Sequence, residues 1–333
     1  MESLHEKSLP KIVILATGGT IAGEASCADQ TSDYSIGKLG VNSLIRAVPQ
    51  LSEIANVSGE QIINTGSQNM TDAIWLRIAA RVNELLDSGQ ADGIVITHGT
   101  DTLEETAFFL ELTVRSNRPV VLTGAMRPAT ALSADGPINL LNAVRTASSN
   151  DACSHGVLVA MNDEIYAARD VCKMNTQNLA TFRAPNAGPV GIISSGQPHF
   201  FHQSLKPRIF FSVNKLQELP RADVVFLCAG SDALLIDAAV KSGTKAIVLA
   251  ASGNGAVPTA ILGRLREITI QGIIVIRASH VPSGYVTASK TRYAEAGLLY
   301  SNSLSPQKAR ILVKLALTRH EKPQEIQNIL NLF

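Results

Sequence analysis

The sequence predicts an α/β fold. A larger N-terminal domain is expected on a mostly parallel, doubly wound sheet, and a smaller C-terminal α/β domain on a parallel sheet of its own. Two observations predict this. Short runs that are apolar throughout alternate with segments of helical periodicity, and strands of that kind belong in parallel sheets covered on both faces. The alternation also breaks near residue 200 and resumes near residue 221.

The first series opens with "KIVILATGGT" and continues through "DGIVITHGTD", "RPVVLTGAMR" and "HGVLVAMNDE". Helical periodicity falls between these runs, at about 72–88, 103–116 and 137–149. The stretch "SSGQPHFFHQSLKPRIFFSVNKLQELP" mixes apolar pairs, prolines and polar residues, and reads as a short antiparallel excursion followed by a linker. Then come "ADVVFLCAGS", "TKAIVLAASGNG" and "GIIVIRASH", with helices at about 232–242, 258–269 and 305–319. The expected boundaries are 1–200, a linker at 201–220, and 221–333. No fixed-period repeat or low-complexity tract interrupts this order.

Composition narrows the function. With 45% apolar and 17% charged residues, the chain reads as a globule with a sizeable core. A formal net charge of +1 gives no electrostatic reason to expect nucleic acid or a membrane surface as partner. The apolar runs are strand-sized, too short to span a bilayer. Cys27, Cys153, Cys172 and Cys228 are scattered without metal-ligand or disulfide-framework spacing. No signal-peptide core precedes them, so a cytoplasmic protein is expected, or a periplasmic one if a leader has been removed. No cofactor or metal is expected.

In open parallel sheets, ligands bind beyond the carboxyl ends of the strands. That rule selects Thr17-Gly18-Gly19-Thr20, His98-Gly99-Thr100-Asp101, Gly124-Ala125-Met126 and Ser252-Gly253-Asn254-Gly255. "ATGGTIAGE" has neither phosphate-loop spacing. Its double glycine is expected to let backbone approach a ligand and to free the Thr20 hydroxyl, a nucleophile if a base takes its proton. In "VITHGTDTLEETAFFL", Thr102 and Glu105 have capping-box spacing, and Leu103, Ala107, Leu110 and Val114 give the following helix one apolar face. Thr100 and Asp101 just ahead of that cap are either turn residues or chemistry, and the stretch by itself leaves both open. His98 is expected to be structural. Residues 24–40, whose only aromatic is Tyr34, read on composition either as a lid or as a disordered surface loop.

Together, "ILATGGTIAG" and "ITHGTDTLEETAFFL" resemble the two signatures of the bacterial L-asparaginase family, particularly its type II members. "GEQIINTGSQNM", "GAMRPATALSADGPINLLNAV", "MNDEIYAARDVCKMNT", "SGNGAVP" and "SPQKARILVKLAL" extend the likeness over nearly the whole chain. The resemblance implies hydrolysis of L-asparagine to aspartate and ammonia by double displacement. Thr20 would be the nucleophile, assisted by Tyr34, with a second cluster of Thr100, Asp101 and Lys173. Ser67 and Gln68 would bind the substrate's α-groups, with Asp101 on the α-ammonium. The Ala125 carbonyl would face the leaving nitrogen, and Asn254 would come from a neighbouring subunit of a homotetramer, a dimer of dimers. One departure stands out. Lys290 falls where the family places a Glu beside the lid tyrosine, and Glu295 is the nearest carboxylate. The broader glutaminase-asparaginases are an alternative, as is a weakly active amino-acid-binding homologue lacking that Glu. The type II disulfide position, near residues 87 and 116, holds no cysteine.

Overall fold

The computed structural model describes residues 8–30, 35, 37–204, 209–289, 291–320 and 322–333. The chain divides into two compact units, Met1–Lys206 and Pro207–Phe333.

The first unit holds β1 (Lys11–Gly18), β2 (Asn56–Thr65), β3 (Gly93–Thr97), β4 (Val120–Thr123) and β5 (Val157–Met161). It continues with β6 (Glu164–Ala167), β7 (Cys172–Lys173), β8 (Phe182–Arg183), β9 (Gly191–Ser194) and β10 (Gln197–Phe200). Its helices are α1 (Val41–Arg46), α2 (Asp72–Asp87), α3 (Leu103–Thr113) and α4 (Gly136–Ser148). Eight strands form one sheet in the order β10-β9-β6-β5-β4-β3-β1-β2. The pairs from β2 across to β5 are parallel, and β6, β9 and β10 close one side antiparallel. β3 and β4 are buried along their whole length, as their unbroken apolar runs require.

Tight turns explain the antiparallel edge. Asn162 and Asp163, between β5 and β6, have φ of 52° and 61°, and Ser195 and Gly196, between β9 and β10, have 50° and 76°. Two successive positive-φ residues make the hairpin turn whose twist matches the flanking strands. β2 is an addition to the expected series. Few of its side chains are buried and it pairs only with β1, so it carries no apolar run to read. Gly59 leaves room there for Val41 of α1, which an added Cβ would meet at 2.6 Å.

α3 differs from the amphipathic helix expected. It is buried around nearly its whole circumference, Glu104 and Glu111 included. Those carboxylates accept from the backbone N–H groups of Lys173 and Val157, which is what allows them inside.

The second unit carries β11 (Ala222–Phe226), β12 (Ala246–Ala251), β13 (Ile274–Ser279) and β14 (Leu299–Tyr300), paired parallel in chain order. Helices α5 (Leu234–Lys241), α6 (Thr259–Ile270), α7 (Arg292–Glu295), α8 (Pro306–Ala316) and α9 (Pro323–Leu330) accompany them. A separate core gathers Ile247, Leu249, Ile261, Leu265 and Val275.

Candidate active site

Three turns nest at the carboxyl ends of β1, β2 and β3, and glycine makes the nesting possible. Gly18 and Gly19 have φ of 100° and 83°. A Cβ on Gly19 would fall 2.4 Å from the Gly99 nitrogen, and one on Gly99 would fall 2.8 Å from Ser67 Oγ. The Gly19 N–H donates to the Thr65 carbonyl at 3.0 Å. The double glycine thus serves close approach of backbone to backbone, and Gly19 also lines the pocket below. Thr20 follows directly in a short 3-10 turn, Thr20–Ala22.

The capping box expected at Thr102 is corrected. The Thr102 side chain makes no cap hydrogen bond to its helix. Its hydroxyl donates to the Ser67 carbonyl at 2.7 Å, and its N–H reaches Ser67 Oγ at 3.4 Å. A partner 35 residues away wins because the nested turns bring Ser67 within reach, so Thr102 ties the Thr100–Asp101 turn to the Ser67–Gln68 turn.

These turns open on a pocket of about 380 Å³, whose wall includes Thr20, Ser67, Gln68, Thr100, Asp101 and Lys173. Thr20 and Thr100 are 7% and 4% exposed, so both are buried residues that line the pocket. Lys173 Nζ donates to Thr100 Oγ1 at 2.9 Å and to Asp101 Oδ1 at 2.6 Å. The lysine arrives on β7, which pairs antiparallel with β8, and its N–H is held by the Glu104 carboxylate at 2.6 Å. Tyr166 secures the hairpin from below, its hydroxyl 2.9 Å from the Phe182 carbonyl oxygen. An ammonium donating to a hydroxyl oxygen stabilises negative charge that builds there, and the neighbouring carboxylate stabilises the ammonium.

Six of the residues singled out in the sequence therefore meet at one pocket. Ala125 is fully buried, immediately before Met126 and Arg127, which line it. Asn254 lies in the second unit, after β12. Its side chain bridges to Thr287, donating to Oγ1 at 2.9 Å and accepting the Thr287 N–H at 2.8 Å. Beneath it the buried Arg277 guanidinium donates to the carbonyls of Asn254, Gly255 and Thr287 and lies 4.3 Å over the Tyr293 ring. Tyr34 and Lys290 lie outside the described residues. Met126, selected with its strand-end loop, joins the pocket wall, as do Arg127, Thr176 and Gln177, which had not been singled out. Arg127 continues the "GAMR" loop, and Thr176 and Gln177 follow Lys173 closely, so proximity in the chain was the available signal. Among the described residues no group of three or more His, Cys, Asp or Glu could hold a metal ion, and no helix is long and apolar enough to cross a membrane.

His98 stands behind the pocket. Fully buried, it has Nδ1 2.7 Å from the Gly99 carbonyl oxygen and Nε2 2.9 Å from Thr106 Oγ1, which in turn accepts from Trp75 Nε1 at 2.8 Å. A carbonyl only accepts, so Nδ1 carries the proton and Nε2 accepts from Thr106. Burial lowers the imidazole pKa from 6.5 to about 4, against the opposing pull of the Gly99 carbonyl. The unfolded chain therefore takes up a proton here before the folded one does. Stability is complete above about pH 6.5 and declines as the pH falls toward 4, by on the order of 3 kcal/mol. Urea midpoints between pH 7 and pH 4.5 should show this decline, and His98→Gln should flatten it.

An α/β chain with two main sheets and a pocket at its strand ends where a lysine meets a threonine hydroxyl is suited to nucleophilic hydrolysis. Residues 11–206 match the family "Asparaginase, N-terminal" and residues 221–330 match "Glutaminase/Asparaginase C-terminal domain". The chain belongs to the asparaginase family. It is 49% identical to L-asparaginase 2 of Bacillus subtilis (strain 168), over 98% of this chain and 88% of that protein. It is 48% identical to L-asparaginase 2 of Escherichia coli (strain K12), over 97% of this chain and 93% of that one. Among solved structures, a probable cytoplasmic L-asparaginase from Campylobacter jejuni superposes with a TM-score of 0.94 at 42% identity, covering 97% of this chain and all of that one.

Proposed function

We propose that this protein hydrolyses L-asparagine to L-aspartate and ammonia by double displacement at Thr20. The observation that carries the reading is the Lys173 ammonium, bonded to both Thr100 and Asp101, in the same pocket wall as Thr20, Ser67 and Gln68. A free amino acid needs an anion for its ammonium and donors for its carboxylate, and Asp101 beside Ser67 supplies both kinds of group.

In the first step the Thr20 hydroxyl oxygen attacks the side-chain amide carbon and gives up its proton. The C–N bond then breaks, ammonia leaves with that proton, and a β-aspartyl ester of Thr20 remains. In the second step water attacks the ester carbon under the influence of Thr100 and Lys173. The ester C–O bond breaks, aspartate departs and the Thr20 hydroxyl is restored. Backbone N–H groups of the glycine turns are suited to the oxyanion. The Ala125 carbonyl accepts from the leaving nitrogen, and Tyr34 helps to activate Thr20. Asn254 acts across a subunit boundary in a homotetramer, and the protein works in the cytoplasm.

A broader glutaminase-asparaginase activity is the second reading, favoured by the description of the C-terminal family. Ammonia release from asparagine and from glutamine separates the two. Glutamine carries one more methylene, so a selective pocket should turn it over with kcat/KM at least about tenfold lower. Equal turnover of both amides would establish the broader activity. Aspartate binding without ammonia release from either amide at any pH would overturn the hydrolytic reading.

A further inference from the structure

The loop after β4, Gly124 to Arg127, is gripped by two buried side chains of the next helix, neither of which is in the pocket wall. Asp135 stands at the start of α4, where an Asp ordinarily accepts from the first-turn N–H groups. Here its side chain makes no such bond. Instead the carboxylate accepts the Met126 N–H at 2.9 Å, the Arg127 N–H at 2.9 Å and Asn139 Nδ2 at 3.0 Å. Asn139 Nδ2 also donates to the Gly124 carbonyl at 3.1 Å, while its Oδ1 accepts the Asn162 N–H at 3.1 Å. Asp135 and Asn139 are 8% and 2% exposed, so each of these bonds is costly to break.

The grip falls on both sides of Ala125. Its carbonyl belongs to the same peptide unit as the Met126 N–H, and in a trans peptide the two point in opposite directions. Holding the N–H on Asp135 therefore aims the Ala125 carbonyl away from Asp135. Among the described residues no backbone N–H outside the regular helices and strands donates to that carbonyl oxygen, and Ala125 is fully buried. The carbonyl is thereby held in one direction next to Met126, which lines the pocket.

We infer that Asp135, braced by Asn139, is the positioning residue that aims the Ala125 carbonyl at the leaving amide nitrogen. This rests on the asparaginase reading above. In that reaction the nitrogen's hydrogens become stronger donors as the C–N bond breaks, so a well-aimed acceptor stabilises the transition state more than the ground state. An ester's leaving oxygen bears no N–H and gains nothing from the same carbonyl.

The test compares Asp135→Asn with the parent protein on L-asparagine and on L-aspartic acid β-methyl ester, using kcat/KM, which reports the acylation step for both. The amide value should fall about tenfold or more and the ester value by less than about threefold, the signature of a misaimed group that only the amide uses. Asn139→Ser, which releases the Gly124 carbonyl, should shift the amide-to-ester ratio the same way, and it carries the test if Asp135→Asn is too unstable to assay. An equal fall on both substrates would mean a merely structural role and overturn the inference, as would no change on either. A parent protein that cleaves the ester and the amide leaves the asparaginase reading intact under both those outcomes. A parent that cleaves neither overturns that reading and this assignment with it.

Discussion

Thr20→Ala should abolish ammonia release from asparagine, lowering kcat by about ten-thousand-fold or more, as the loss of a covalent nucleophile does. The expectation follows from where the hydroxyl sits. Gly18 and Gly19 use backbone conformations that L side chains rarely adopt, and the turn delivers Thr20 to the pocket wall at 7% exposure. Removing one hydroxyl and one methyl there should cost about 1 kcal/mol of stability or less, because the nested backbones are untouched. Aspartate should still bind, since Asp101, Ser67 and Gln68 remain. Calorimetric titration with aspartate, run beside the ammonia assay, separates lost chemistry from lost binding. A variant that retains more than a hundredth of the parent's kcat would remove Thr20 from the nucleophile's role.

The second large effect is expected at the Thr100–Lys173 contact. Lys173→Met and Thr100→Val should each lower kcat by about a hundred- to a thousandfold, the usual worth of a positioned proton-transfer group. The two are bonded at 2.9 Å, so they act as a unit and their losses should not add. The double variant should be little worse than the worse single one. Lys173→Met also leaves Asp101 without the partner 2.6 Å away, so its KM for asparagine should change while that of Thr100→Val stays close to the parent's. Additive losses in the double variant would mean that the two side chains serve separate steps.

Most of the larger elements can be read from the sequence, because each is specified by its own residues. The runs at β1, β3, β4, β5 and β12 are apolar almost throughout, as strands buried on both faces require, and β11 and β13 read as strands from their apolar runs although Val224 and Phe226 of β11 are exposed. α2, α4, α6 and α8 carry their periodicity openly. The elements that are not legible share a physical cause. β2 is an edge strand with a single buried residue, β6 and β10 follow two-residue turns, and β7, β8 and β14 are two residues each, too short for any pattern to repeat. Thr102 shows a limit of another kind. Its spacing to Glu105 satisfies a local rule, yet its hydroxyl bonds to Ser67, because a closer acceptor geometry from another turn outweighs the local one.

The site divides along the same line. The sequence by itself determined which chemical groups stand at strand ends: the Thr20 hydroxyl after its glycines, the Thr100–Asp101 pair after β3, and the Ala125 loop after β4. It also determined, through two apolar series, that there would be two sheets. Only the tertiary structure decided that Lys173, 72 residues from Asp101, would be delivered between Asp101 and Thr100. It alone decided that Gly19 would fit against Gly99, and that Asp135 would turn from its own helix to the loop behind it. The reason is range. Burial and periodicity act over a few neighbouring residues and leave their mark in the chain. Hydrogen bonds between turns form only after the sheet has brought the strand ends side by side, and nothing in any one segment records them.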